Sequence, residues 1–229
     1  VVELRRHKHA VLLVLLIIVL AISTINARSG AERLQTDLLR TVLGVAIWVV
    51  VFERRRERVT MGAVLLASLA MSWGRHFTAA SLERALSLAE HVVLVLFAWS
   101  AVYVILRDLF RARRAGAENV LGAICGYLIA GSAWAQMNSV AYLLVPSAYS
   151  ISPELANLLP EWHGRMALFT YYAFAQVMTI GYSDVTPVHA PATTLSLFAA
   201  LFGVFYTAVV VSQFVGLAQQ PKRETPTRQ

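Results

Sequence analysis

The segment Thr170-Tyr171-Tyr172-Ala173-Phe174-Ala175-Gln176-Val177-Met178-Thr179-Ile180-Gly181-Tyr182-Ser183-Asp184-Val185-Thr186-Pro187 joins two kinds of local structure. Its first half belongs to an apolar, aromatic run, Ala167 to Thr179, that is too short to cross a bilayer, which takes about 20 residues. A run of that length at membrane depth is expected to be a buried or re-entrant helix. The second half carries a glycine and stops at a proline, so an extended strand is expected there. A short helix aims its C-terminal partial negative charge at whatever lies beneath, which favours a cation. A strand beyond it can point successive carbonyls along one axis, with the Thr179 hydroxyl adding one more oxygen.

Outward from this segment the chain is strongly apolar. Of its 229 residues, 58% are apolar and 14% charged, with a mean hydropathy of +0.61. Those values leave too few polar side chains to cover a soluble surface. Six runs approach spanning length: Ala10–Ile25, Leu38–Phe52, Val59–Trp73, Leu82–Leu106, Asn119–Val145 and Ala192–Leu217. The first three are short and borrow flanking residues whose long side chains snorkel. The single cysteine excludes an intrachain disulfide framework.

The net charge of +7 sits in clusters between the apolar runs, which argues against nucleic acid as a partner. With the N-terminus inside, the inner segments carry Arg5, Arg6, Lys8, Arg54, Arg55, Arg56, Arg58, Arg107, Arg111, Arg113, Arg114, Lys222, Arg223 and Arg228. The outer ones hold only Arg28, Arg33, Arg75 and Arg165. That alternation places both termini on the cytoplasmic side of a multi-pass protein of the cell membrane. The competing reading of the first run is a cleaved signal peptide ending at Ala21-Ile22-Ser23.

Thr179-Ile180-Gly181-Tyr182-Ser183-Asp184 resembles the threonine-x-glycine-tyrosine-glycine-aspartate selectivity filter of tetrameric potassium channels. Tyr171 and Tyr172 match the aromatic pair that packs around that filter, Pro187 precedes the inner helix, and Gly203 stands where the family has a glycine hinge. Val210-Val211-Ser212-Gln213-Phe214 is similar to the lower inner helix of voltage-gated members. The resemblance covers residues 119–217. It implies an all-α, six-span protein with a re-entrant pore helix and an extended filter, assembled as a homotetramer in the lipid bilayer. It also implies potassium ions at Thr179, Ile180, Gly181 and Tyr182, with Met178, Tyr171 and Tyr172 as filter support and no other cofactor. Ser183 departs from the second filter glycine, and Met178 from the family's usual hydroxyl residue. The proline-valine-proline kink is absent.

Four further domain-level expectations follow. Residues 1–106 form a four-helix unit resembling a voltage-sensor domain, 107–118 an amphipathic linker, 119–217 the pore domain and 218–229 a cytoplasmic tail. The fourth run offers only Arg84, then Ser87, Glu90 and Leu94, with no further base before Arg107. A sensor needs several arginines at every third position, since one charge moved through 100 mV is worth about 2.3 kcal/mol. Strong voltage gating is therefore not expected, and the gating ligand or partner is left open. Glu90 and His91 are the deepest ionisable groups; a proton-sensitive contact with Arg40 or Arg84 is the functional reading, a structural pair the plainer one. Gly122 and Gly126 form a small-residue face expected to meet the inner helix, with Cys125 as apolar filler. Pro146 to Arg165, with Glu154, Glu161 and His163, is expected to be a solvated outer turret. No metalloprotease, phosphate-loop or nucleophile motif is present, so the chain is not expected to be an enzyme. The function implied is a passive, weakly voltage-dependent potassium-type channel. The alternatives are a non-selective cation channel and a non-conducting, channel-like protein with a sensory or scaffolding role.

Overall fold

The computed structural model describes residues 7–29, 33–74, 80–112, 116–160 and 162–218. Arg5, Arg6, Arg75, Arg113, Arg114, Glu161 and the basic tail residues lie outside this set, as do the side chains of Arg28, Arg33 and Arg84. The described chain is almost entirely helical: α1 Lys8–Ser29, α2 Arg33–Val51, α3 Arg55–Gly74, α4 Ala80–Arg111, α5 Ala117–Leu144, α6 Pro153–Ala156, α7 Trp162–Val177 and α8 Ala190–Ala218.

Four of these helices are long and apolar enough to cross a membrane, with windows at Lys8–Ile25, Ala85–Arg111, Ala117–Leu144 and Ala190–Leu217. The intervening α2 and α3 have 19 and 20 residues, roughly 28–30 Å of helix at 1.5 Å per residue. Charges at Asp37 and Arg40, and at Arg55, Arg56, Glu57 and Arg58, hold their hydropathy down. α4 continues to Arg111, past Leu106 where the span was expected to end, and α5 starts at Ala117. Of the stretch expected to be an amphipathic connector, residues 107–111 thus belong to the end of α4 and 117–118 to the start of α5.

Helices α1 to α5 share one core of Leu12, Leu16, Ile47, Phe52, Leu65, Phe97, Ile105 and Ile129. α1 packs on α2, α5 and α7, α4 along α5, and α7 between α5 and α8. The four-helix unit thus leans on the α7 of its own chain. Small residues permit this closeness, as is usual where lipid removes the hydrophobic drive between helices. A Cβ on Gly126 would lie 2.6 Å from the Tyr206 hydroxyl of α8, and one on Gly122 3.5 Å from His9 of α1. Only Gly126 therefore faces the inner helix as expected; Gly122 faces the first helix. Cys125 is fully buried between them.

Two short strands accompany the helices. β1 (Tyr149–Ile151) and β2 (Val185–Pro187) pair antiparallel, with Tyr149 opposite Pro187 and Ile151 opposite Val185. The turret is exposed at Ser147, Ser150, Glu154 and Asn157, yet it carries short regular elements. Pro146–Ala148 forms a 3-10 turn, and His163 and Arg165 belong to the first turns of α7, where Arg165 is buried and donates to the Leu159 carbonyl at 3.2 Å. Pro160 starts this element by stopping the preceding chain. A Cβ on Gly164 would fall 2.5 Å from the Leu158 carbonyl oxygen, so only glycine lets the chain fold back this tightly.

Candidate functional site

α7 ends where the resemblance places the filter, and its end has a defined geometry. The Thr179 N–H donates to the Gln176 carbonyl at 2.9 Å and the Ile180 N–H to the Ala175 carbonyl at 2.8 Å. These are the two bonds of a Schellman cap, whose pivotal residue must be left-handed. Thr179 occupies that position at φ 57, and Gly181 follows at φ 68. A β-branched residue in this region is strained, whereas glycine is not. The Thr179 hydroxyl donates to the Met178 carbonyl at 2.7 Å.

The alternation of left-handed and ordinary residues lifts 178–184 off the body of the chain. Met178, Ile180 and Tyr182 are 47%, 51% and 52% exposed, so three large apolar side chains in a row lack cover within one chain. Met178, expected as filter support, is among these half-exposed side chains. Ser183 is not left-handed, so the geometry a glycine adopts in the resembling motif is not taken here.

The segment is a turn at 178–179, irregular at 180–182 and a bend at 183–184 rather than the extended strand expected, and behind it the aromatic pair divides its work. The Tyr171 ring stacks on Tyr182, with centroids 5.6 Å apart and planes at 16°. Its hydroxyl donates to Asp184 Oδ2 at 2.8 Å. Burial and the Asp184 carboxylate push the Tyr171 phenol up to about 12, which keeps it a donor at neutral pH. Tyr172 points the other way. It is buried against Tyr149 and shares a hydrogen bond of 2.5 Å with Ser196 of α8. Beyond Asp184 the chain is sewn to β1: the Ser152 N–H donates to the Asp184 carbonyl at 2.9 Å.

Gly203 sits where α8 crosses the end of α7. A Cβ there would collide with the Val177 carbonyl oxygen, which also accepts from the Tyr127 hydroxyl at 3.2 Å. The glycine expected as a hinge thus has a packing reason to be glycine.

Residues 160–220 match the family model described as ion channel. The matched stretch takes in α7, the 178–184 segment, β2 and α8, a little over a quarter of the chain. No curated protein and no solved structure matches the chain. The channel domain and the apolar helices make this a membrane protein with an ion-channel-type segment.

Sequence reasoning missed the groups that hold the domain from outside. Asn138 is fully buried in α5, donates to the Trp134 carbonyl at 2.8 Å and accepts from the Tyr149 hydroxyl at 2.7 Å. An asparagine inside an apolar run was the available signal. His91 was singled out, but with other partners in view. Its Nδ1 lies 2.5 Å from the Ser87 carbonyl, and its Nε2 3.0 Å from Ser139 Oγ and 3.2 Å from Met166 Sδ. It joins α4 to α5 and α7. Arg40 stacks on Trp162, 4.1 Å from the ring centroid.

Proposed function

We propose that the chain assembles as a homotetrameric, six-span cation channel of the potassium-channel type in the cell membrane, with both termini cytoplasmic. Ions pass through carbonyls and the hydroxyl of Thr179, Ile180, Gly181 and Tyr182, and Ser183 and Asp184 close the outer end. One observation carries this reading: within an ion channel domain, α7 ends in a left-handed turn that throws 178–184 onto the surface, with Gly181 at φ 68. The bare apolar side chains of that segment, together with Leu197, Leu201, Val204 and Phe205 of α8, ask for cover by further copies and lipid. With one arginine expected along α4, opening depends weakly on voltage.

Potassium flux from liposomes tests the reading. A Cβ on Gly181 would meet nothing within 4 Å, so Gly181→Ala acts on the backbone alone. The variant should lose at least nine-tenths of the flux while keeping the wild-type assembly size. Unchanged flux removes the filter assignment, and a wild type without flux supports the non-conducting alternative.

The backbone at Ser183 favours a second reading, a cation channel with weak discrimination. Without a left-handed residue there, the Tyr182 carbonyl is not held toward the axis and the outer sites widen. Ser183→Gly should then shift the bi-ionic reversal potential toward stricter potassium selectivity. Equal selectivity of wild type and variant rejects this reading.

A further inference from the structure

Helices α1 to α5 and the first turns of α7 enclose a cavity of about 150 Å³. Its floor is apolar, with Leu16, Ile47, Leu65 and Phe97 all buried. Asp37, Arg40 and Glu90 also reach its wall, and each has a partner within the protein, so none of them asks for a charged occupant. The uncharged groups decide what the cavity accepts. Ser23, Thr41, Ser68, Ser132 and Thr170 line it, and each hydroxyl donates to a carbonyl three or four residues earlier in its own helix, at 2.7–3.0 Å. A hydroxyl carries one proton, so these five have only lone pairs left to offer. Gln136 of α5 adds a further acceptor. It is 8% exposed, lines the same cavity, and its side-chain oxygen receives no hydrogen bond.

A buried acceptor without a donor is costly, so an occupant that brings an N–H or O–H is favoured. Water would meet the acceptor yet leave the apolar floor wet, whereas a hydrocarbon body covers that floor and gains from its burial. About 150 Å³ is the size of cavity that takes a single benzene ring. We infer that this cavity binds an uncharged, hydroxyl-bearing hydrocarbon of about one ring in size, a phenol or a cyclic or short-chain alcohol. Its O–H donates to Gln136 Oε1 and its body lies on Leu16, Ile47 and Phe97. All of these groups belong to one chain and none lies in 178–184, so binding depends neither on assembly nor on conduction.

Equilibrium dialysis of the full chain in lipid nanodiscs against radiolabelled phenol or toluene tests this. Toluene keeps the shape and replaces the hydroxyl by a methyl group, so the pair isolates the donated proton. Each affinity is scaled to the compound's partition into empty nanodiscs, which corrects for the greater hydrophobicity of toluene. Saturable binding of one phenol per chain is expected, with a scaled affinity at least tenfold above that of toluene. Gln136→Leu removes the acceptor at similar volume; it should weaken phenol at least tenfold and leave toluene as tight or tighter. Ala98→Phe, which fills the same cavity with apolar volume, should abolish binding of both. Equal scaled affinities for phenol and toluene in the wild type overturn the proposal without any variant. So does phenol uptake that rises linearly without saturation, the result expected where water or lipid chains hold the cavity. Unaltered phenol binding by a folded Gln136→Leu or Ala98→Phe chain places the bound phenol elsewhere and overturns it too.

Discussion

Thr179 bears the strain of the site. A left-handed conformation costs an L-residue about 1–2 kcal/mol, and β-branching adds to it. The compensation is the pair of cap bonds to Gln176 and Ala175, which only a left-handed residue can close. Glycine would close them without strain, less about 0.5–1 kcal/mol for its freedom in the unfolded chain. Threonine stands there against that gradient, and in the proposed channel its hydroxyl offers a cation one further oxygen. Thr179→Gly should therefore raise stability by on the order of 1 kcal/mol, seen as a higher melting midpoint, and lower cation flux because the hydroxyl is gone. A variant that melts no later than wild type would mean that Thr179 is not strained in the assembled protein. Tyr171 is the residue-scale counterpart behind the 178–184 segment: protonated, stacked on Tyr182 and bonded to Asp184, it ties α7 to that segment.

Among the elements, the contact of α7 with α8 decides how firmly the segment is placed. Gly203 admits the Val177 carbonyl into the surface of α8, and no neighbour can yield because the obstacle is backbone. Gly216, on the same helix, has nothing within 4 Å of its Cβ position and serves as the reference. Gly203→Ala should cost about 1–3 kcal/mol through overpacking, whereas Gly216→Ala should be neutral or gain up to roughly 1 kcal/mol of helix propensity. Parallel melting curves of the two purified variants decide this. Equal midpoints would return Gly203 to a purely hinge-like role. The same pair of elements shows what was legible in the chain. Thr179, Gly181 and Asp184 lie within six positions, so local chemistry and spacing were enough to mark them. Gly203 was legible as a special glycine, but its reason, a carbonyl 26 positions earlier, is a tertiary fact. Asp37, Glu90, Gln136 and His163 come from four helices, and no window of sequence contains two of them within a turn. His163 looked like loop because Pro160 and the charged Glu161 precede it, yet its side chain turns inward toward Asp37. The strands were missed because three-residue pairings carry too little alternation to register.

At the scale of the whole molecule, helices α1 to α5 are also tied together at the end away from Asp37 and Glu90. Lys8 of α1 pairs with Glu53 between α2 and α3, Arg107 of α4 with Glu57 of α3, and His9 of α1 with Glu118 at the start of α5, the last at 3.0 Å. Lipid supplies no hydrophobic drive between helices, so polar contacts at the helix ends gain weight in holding their order. The Arg107 guanidinium makes a two-pronged contact with Glu57, its second prong at 3.4 Å, and holds the Glu57 carboxyl below its ordinary value of about 4.5. A carboxyl depressed in the folded state stabilises that state above its unfolded value, and the benefit is lost as pH falls through the folded value. Glu57 is about a quarter exposed, which limits the pair to roughly 1 kcal/mol or less. Glu57→Gln should therefore lower the melting midpoint by a few degrees at pH 7. The gap to wild type should hold while pH stays above the ordinary carboxyl value and close as pH falls through the lowered one, where wild-type Glu57 is itself protonated. Raising salt to about 1 M at pH 7 should narrow it as well, because a partly exposed pair is screened. A gap that narrows neither in acid nor in salt would show that Glu57 acts by packing alone, and that α3 and α4 are not held by charge at this end.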